Sequence, residues 1–379
     1  MRPRVALLTG EGFGAVAVVG VWGVGAVACV DSVFRPHRGL PLAKTEPGCP
    51  RVGRLGDGTG DEVVALIVPG HVPEVEVQCH GGPAAIETVV RTIIAAGADR
   101  ASARGWVKHS SRSHTQAEAT LDLPHAITIR AASLLLDQAD GALDRALRLI
   151  VDSLDSDPSD ALAAIDALLA TAPVGTRLVE GWRVVLAGRP NVGKSRLLNT
   201  LLGYDRAIVD PTPGTTRDVV AARAAFDGWP VELSDTAGLR ATVDPIETEG
   251  VARARATQKA AELVLLVLDR SRPLDDDDHR LFAEHPTALI VANKSDLPLA
   301  WDGIGLVVSA ERGDGIDLLA AEIGRRLVPM PPPSGSALIF RQHHVRRLSL
   351  IATMIRRGNP ERGARVLARW IRTSRADGP

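Results

Sequence analysis

Gly188-Arg189-Pro190-Asn191-Val192-Gly193-Lys194-Ser195 is the stretch that decides the fold. It matches G-x-x-x-x-G-K-[ST] and directly follows a short apolar run, Trp182–Ala187, that reads as a strand. A strand that runs through a Gly-rich turn into a helix is the context a phosphate-cradling loop requires. The glycines let backbone N–H groups curl round a β-phosphate, and the helix that follows points its positive end at the same anion. Lys194 supplies charge to the β- and γ-phosphates, and Ser195 supplies a hydroxyl to Mg²⁺. Asn191, Val192, Gly193, Lys194, Ser195 and Arg196 are the candidate contacts of this loop.

Working outward, three more motifs stand in order behind apolar runs. Asp235-Thr-Ala-Gly238 follows residues 231–233, which places Asp235 to hold Mg²⁺ through water and the Gly238 amide to meet a γ-phosphate. Asn293-Lys294-Ser295-Asp296 follows residues 288–292; the Asp296 carboxylate can accept from guanine N1–H and N2–H₂, which adenine does not offer. Ser309-Ala310 ends the run 305–309, and the Ala310 amide can donate to guanine O6. Between the first two lies Gly214-Thr215-Thr216-Arg217-Asp218, where a switch loop belongs; Thr216 could close over Mg²⁺ and the γ-phosphate, or the segment is an ordinary Pro-Gly turn. Strands alternating with helical spans, with motifs at strand C-terminal ends, imply an α/β fold: a doubly wound, mostly parallel P-loop G domain.

The rest of the chain divides around that domain. The 379 residues allow two or three domains of about 150 residues each. Residues 1–117 read as a small α/β domain, with strands at 15–22, 63–69 and 75–78, a turn after the first, and a helix at 83–96. Residues 118–180 read as helical, with one break at 155–160. The G domain takes 181–330, a proline-rich link follows, and 331–379 reads as helical and rich in arginine. The arrangement expected is a G domain inserted in an α-helical domain.

Composition narrows the function classes. A formal charge of −1 gives no global field for nucleic acid, and 3% aromatics leaves few stacking platforms for single-stranded RNA. Cys29, Cys49 and Cys79 are an odd, scattered set that fits reduced thiols and a cytoplasmic protein. The basic, apolar start also fits a secretory leader, but its apolar run is broken by Gly20, Gly23 and Gly25, which favours a buried strand. No membrane span is expected. Cys79-His80 could suggest a metal or nucleophile but lacks a third ligand nearby, and reads as a strand end. The carboxylates 275–278 read as a helix cap rather than a cation site.

Together the Gly-Arg-Pro-Asn-Val-Gly-Lys-Ser, Gly-Thr-Thr-Arg-Asp, Asp-Thr-Ala-Gly-Leu-Arg and Asn-Lys-Ser-Asp motifs resemble the tRNA-modification GTPases of the TrmE/MnmE type, with Era and Der as wider relatives. Leu8-Thr-Gly-Glu-Gly-Phe-Gly-Ala-Val-Ala-Val-Val19, Glu76-Val-Gln-Cys-His-Gly-Gly-Pro83 and Gln116-Ala-Glu-Ala119 support the narrower choice, since they resemble that family's folate-binding domain and the start of its helical domain. The resemblance implies GTP binding and hydrolysis, with GDP as product. It also implies a K⁺ ion held by Asn191 and Glu247 acting on the hydrolytic water, because Leu239 stands where many GTPases carry glutamine. Asn191 as a turn residue and Glu247 as a solvated acid are the plainer readings. The implied partners are tRNA or the ribosome, a tRNA-modification partner protein, and a second copy through the N-terminal domain.

Two departures qualify this. The family's folate site uses an arginine, a glutamate and a lysine, of which only Glu76 matches; Gly20 and Ser111 stand at the other two positions, so folate is doubtful. The family's final Cys-x-Gly-Lys is not matched by Arg375-Ala-Asp-Gly-Pro379. The function expected is therefore a GTP hydrolase of the wobble-uridine tRNA-modification type. A regulatory or ribosome-associated switch is the alternative, and an ATPase is disfavoured by Asp296.

Overall fold

The computed structural model describes residues 2–10, 14–56, 60–70, 74–154, 156–204, 221–235 and 261–371. They fall into two compact units, one within Met1–Ala117 and one within Glu118–Arg372.

The first unit contains β1 (Arg4–Leu7), β2 (Val16–Trp22), α1 (Ala26–Val33), β3 (Phe34–Pro36), β4 (Arg51–Leu55), β5 (Asp61–Val68), β6 (Glu74–His80), α2 (Pro83–Ala95), β7 (Asp99–Arg100) and α3 (Ala103–Ser110). Its sheet runs β3-β4-β5-β6-β2-β1-β7, antiparallel except where β7 joins β1. The period-2 pattern explains the core: on β5, Val63, Ala65 and Ile67 are buried while their neighbours are less so. Ala26, Cys29 and Val30 of α1 and Val89, Val90 and Ile93 of α2 close over that face. The turn expected after β2 is present, with Gly23 and Gly25 at positive φ, but a helix follows it at once. Cys79 is buried, and burial followed by the charge of Asp61 pushes its thiol up to about 11, so it is inert, as a strand-end residue should be.

Gly20 pairs with Glu76 across β2 and β6. A Cβ at position 20 would stand 2.5 Å from Cε3 of Trp106, and Trp106 packs edge-on to Trp22 at 5.5 Å. The space above Gly20 is filled by the protein's own indole.

The boundary falls within α4 (His114–Asp122), and the second unit goes on with α5 (Ile129–Ala139), α6 (Ala142–Leu154), α7 (Pro158–Leu169) and the short α8 (Ala172–Gly175). The sequence suggested one break in this span, whereas the chain turns several times. Thr128 caps α5 by accepting from the Ala131 amide, Gly141 takes φ 88 between α5 and α6, and Asp157 caps α7 ahead of Pro158. Then come β8 (Trp182–Ala187), α9 (Lys194–Tyr204), β9 (Ala221–Phe226), β10 (Trp229–Asp235), β11 (Leu263–Asp269), α10 (Asp276–Glu284), β12 (Leu289–Asn293), β13 (Leu306–Val307), α11 (Ile316–Leu327), α12 (Gln342–Arg356) and α13 (Pro360–Ile371).

The sheet order is β13-β12-β11-β8-β10-β9, parallel throughout except for the β9–β10 hairpin. Asp227 and Gly228 make that hairpin turn, both at positive φ, as a two-residue Asp-Gly loop requires. The central strands β8 and β11 are apolar almost without interruption because both their faces are covered.

Helices from either side of this sheet in sequence share one core. Leu135, Leu147 and Ile165 pack in the same cluster as Leu348, Ile351, Leu367 and Trp370. Buried Gln138 ties the two segments by donating to the Ser336 carbonyl at 2.9 Å and accepting from the Leu338 amide at 3.1 Å.

Candidate functional site

Parallel strands end at one edge, so the loops after β8, β10, β11 and β12 meet there. The loop after β8 approaches β11 so closely that a side chain at Gly188 (φ 143) would collide with the Val267 carbonyl. At Gly193 (φ 97) a Cβ would collide with Asn293 Nδ2. Both glycines are therefore dictated by sterics. Asn191 takes a left-handed φ of 64, unusual outside glycine and tolerated by asparagine. Lys194 is 6% exposed, and its Nζ donates to the Arg189 carbonyl at 2.7 Å, folding the side chain back over the loop.

Ser195 Oγ donates to Asp235 Oδ2 at 2.7 Å, joining the start of α9 to the end of β10. These two oxygens are the pair that the sequence assigned to a divalent cation.

At the far end, Asn293 is 2% exposed and reaches in two directions. Its Nδ2 donates to the Val192 carbonyl at 2.9 Å, and its Oδ1 accepts from the Ala310 amide at 3.0 Å. One buried side chain thus fixes the phosphate loop against the loop after β13. The Ala310 amide, expected to face guanine O6, is given to Asn293 here. Ser309 Oγ donates to Asp296 Oδ1 at 2.6 Å. That hydrogen bond, helped by the charges of Arg312 and Arg196, holds the half-buried Asp296 carboxyl below the usual range and keeps it ionised. Lys294, at φ 68, directs its Nζ to Asp269 Oδ2 at 2.7 Å.

Asp269 is a residue the sequence reading missed. Burial pushes its pKa up, but hydrogen bonds from Lys294 and Ser271 outweigh that and hold it below the usual range. The available signal was an acid closing an otherwise apolar strand, Leu263–Asp269. Arg189 is a second one: it pairs with Asp275, and with Asp277 and Asp278 at 3.7 and 3.8 Å. Asp275 caps α10 in a capping box with Asp278, as expected of the carboxylate run.

A cleft beside the loop is lined by Ser195, Arg196, Asn199, Thr200, Ala310 and Glu311. The structure therefore brings Asn191, Val192, Gly193, Lys194, Ser195, Arg196, Asp235, Asn293, Lys294, Asp296, Ser309 and Ala310 to one sheet edge. Thr215, Thr216, Gly238, Leu239 and Glu247 lie outside the described residues.

Comparisons with known proteins identify the family. Residues 183–294 match the family described as 50S ribosome-binding GTPase. The tRNA modification GTPase MnmE of Symbiobacterium thermophilum is 37% identical, over 84% of this chain and 81% of the relative. The protein of that name from Roseiflexus castenholzii is 35% identical, over 93% of this chain and 88% of the relative.

Proposed function

This chain belongs to the MnmE family of tRNA modification GTPases and is a GTP hydrolase; on that premise we propose how its residues divide the work. The phosphate end is Gly188 to Arg196, with Lys194 placed against the β- and γ-phosphates. The base end is Asp296, which accepts from guanine N1–H and N2–H₂. The observation that carries the reading is Asn293: its two hydrogen bonds lock the phosphate loop and the base loop at a fixed separation. A site built this way measures a whole nucleotide rather than a free phosphate.

The oxygens of Ser195 and Asp235 fit Mg²⁺, a hard cation held by hydroxyl and carboxylate oxygen. When bound, Mg²⁺ neutralises charge developing on the β- and γ-phosphates. Asn191 is the residue that would help hold K⁺, and its left-handed backbone supports a fixed side-chain direction there. We assign the hydrolytic water to Glu247 and closure over the γ-phosphate to Thr215 and Thr216, because Leu239 cannot hydrogen-bond a water. Lys194 stabilises the transferring phosphoryl group throughout.

The shared helical core supports a G domain, 181–330, inserted between the two parts of one helical domain, 118–180 and 331–379. Closure of the nucleotide loops then acts on the helices through β8 and β10, whose Trp182 and Trp229 pack edge-on at 5.6 Å and belong to the helical core. Residues 1–117 are the N-terminal domain, through which a second copy associates. Folate does not fit the residues present: the arginine position is Gly20, and Trp106 fills the space above it. By its family the substrate is tRNA, worked on with a modification partner protein in the cytoplasm.

Asp296→Asn tests the base assignment. GDP affinity should fall by about 10²-fold or more, with preference moving to xanthine nucleotides. Unchanged GDP affinity in the variant would remove Asp296 from guanine recognition.

A further inference from the structure

We propose that the exposed face of the α12–α13 hairpin is a docking surface for the phosphate backbone of tRNA, read by charge and not by base sequence. Residues 341–371 contain eight arginines, no lysine and one acid, Glu361. The remainder of the chain carries 36 basic against 44 acidic residues, so this hairpin is basic on an otherwise acidic protein. Two of the arginines are already paired: part-buried Arg341 with Asp122 at 2.7 Å, and exposed Arg356 with Asp166 at 2.8 Å. Arg346, Arg347, Arg357, Arg362, Arg365 and Arg369 are exposed, and none of them makes an ion pair among the described residues.

Their placement is ordered. On α13, Gly363, Leu367 and Trp370 are buried, while Arg362, Arg365 and Arg369 recur at spacings of three and four along the outer face. That row spans about 10 Å of helix axis. From α12, Arg347 stacks over the Trp370 ring at 5.0 Å and continues the row at its C-terminal end.

Such a row costs the fold. Like charges at helical spacing repel, and Arg362 lies in the first turn of α13, where the helix dipole disfavours a cation. A face kept only for solubility would mix signs, since interspersed acids would form stabilising pairs. Uniform arginine instead suits phosphate, whose oxygens its planar fork binds in pairs. A lipid surface is the poorer match, because the apolar side of α13 is already packed in the helical core. The choice of tRNA over another polyanion rests on the family reading above.

The test uses the full chain. Affinity for unmodified tRNA is measured from 50 to 200 mM KCl for the wild type and for Arg362→Gln/Arg365→Gln/Arg369→Gln, beside GDP affinity and melting temperature. The variant should bind tRNA about tenfold more weakly or worse, with a log K against log salt slope smaller by about 2. Its GDP affinity should not change, and its melting temperature should hold or rise slightly as the repulsion along the row is relieved. A folded variant with wild-type tRNA affinity and slope overturns the proposal. So does one that keeps RNA binding and loses only an acidic partner protein, since the face would then be a protein surface. If the wild type binds no tRNA, yet binds an unrelated duplex RNA with a salt slope that the triple variant reduces, the surface stands and the tRNA reading falls.

Discussion

The two sheets of this chain are built from similar residues and end differently. In the sheet of β8 and β10–β12 the strands are parallel, so four loops leave one edge and their polar residues meet. Ser195 meets Asp235, Lys194 meets the Arg189 carbonyl, Asn293 meets Val192 and Ala310, and Ser309 meets Asp296. In the N-terminal sheet neighbouring strands are mostly antiparallel, so successive loops leave opposite edges. There Gly20, which the family resemblance aligns with an arginine, has Trp106 seated on it. Parallel strands gather chemistry at one end by topology alone, while an antiparallel sheet must build a pocket residue by residue and can close it with one indole.

If that contrast is right, substitutions at the first edge should damage activity and substitutions beside Gly20 should damage only folding. The largest effect is expected at Lys194. Lys194→Ala should lower GTP turnover by about 10²- to 10³-fold, read in a phosphate-release assay, with melting temperature nearly unchanged. Turnover within a few-fold of wild type would break the assignment of the phosphate end.

Asn293→Ala comes next. It strips a buried donor and acceptor from Val192 and Ala310, at a cost of about 2–3 kcal/mol in stability, and should weaken GDP and GTP binding together. Denaturant titration and nucleotide affinity measured in parallel check this. Lost stability with intact affinity would show that the phosphate and base loops hold their spacing without it.

Gly20→Ala should cost about 1–3 kcal/mol through overpacking against Trp106 and leave GTP turnover of the folded protein untouched. A drop in turnover in proportion to the stability loss would tie this position to the chemistry and blur the comparison.

The smallest effect is on pH dependence. His344 is wholly buried beside Phe340 and Trp370, and its Nε2 meets Glu118 Oε2 at 2.7 Å, with His343 and Arg341 also facing Glu118. Burial holds its pKa below the ordinary histidine value of 6.5. The unfolded chain therefore takes up the proton first, so stability is full above about pH 6.5 and declines as pH falls below it. The decline is at most about 1.4 kcal/mol per pH unit for this group. Melting temperatures from pH 7.5 to 5.5 should show that loss, and it should shrink in His344→Gln.

Sequence made the nucleotide edge legible because each loop is a short contiguous motif whose residue types follow from phosphate and base chemistry. The strands Trp182–Ala187 and Leu263–Asp269 could be read for the same local reason, being apolar runs bounded by polar turns. What escaped was set by distant partners. Asp269 and Arg189 gain their meaning from Lys294 and the α10 cap. Asn293 showed its base-end role but not its grip on Val192, 101 residues away in sequence. Helix α1 was hidden behind the glycines of its own entry turn. Trp106 over Gly20 is a contact that no local pattern announces.

The central claim is that the edge built by Gly188–Arg196, Asp235, Asn293–Asp296 and Ser309-Ala310 encloses a guanine nucleotide with magnesium. Calorimetric titration of the purified chain with GDP and with ATP, in Mg²⁺ buffer, tests it most directly. Saturable one-to-one binding of GDP, with ATP weaker by about 10²-fold or more, is the predicted result. No heat with GDP, or equal affinity for ATP, would contradict it.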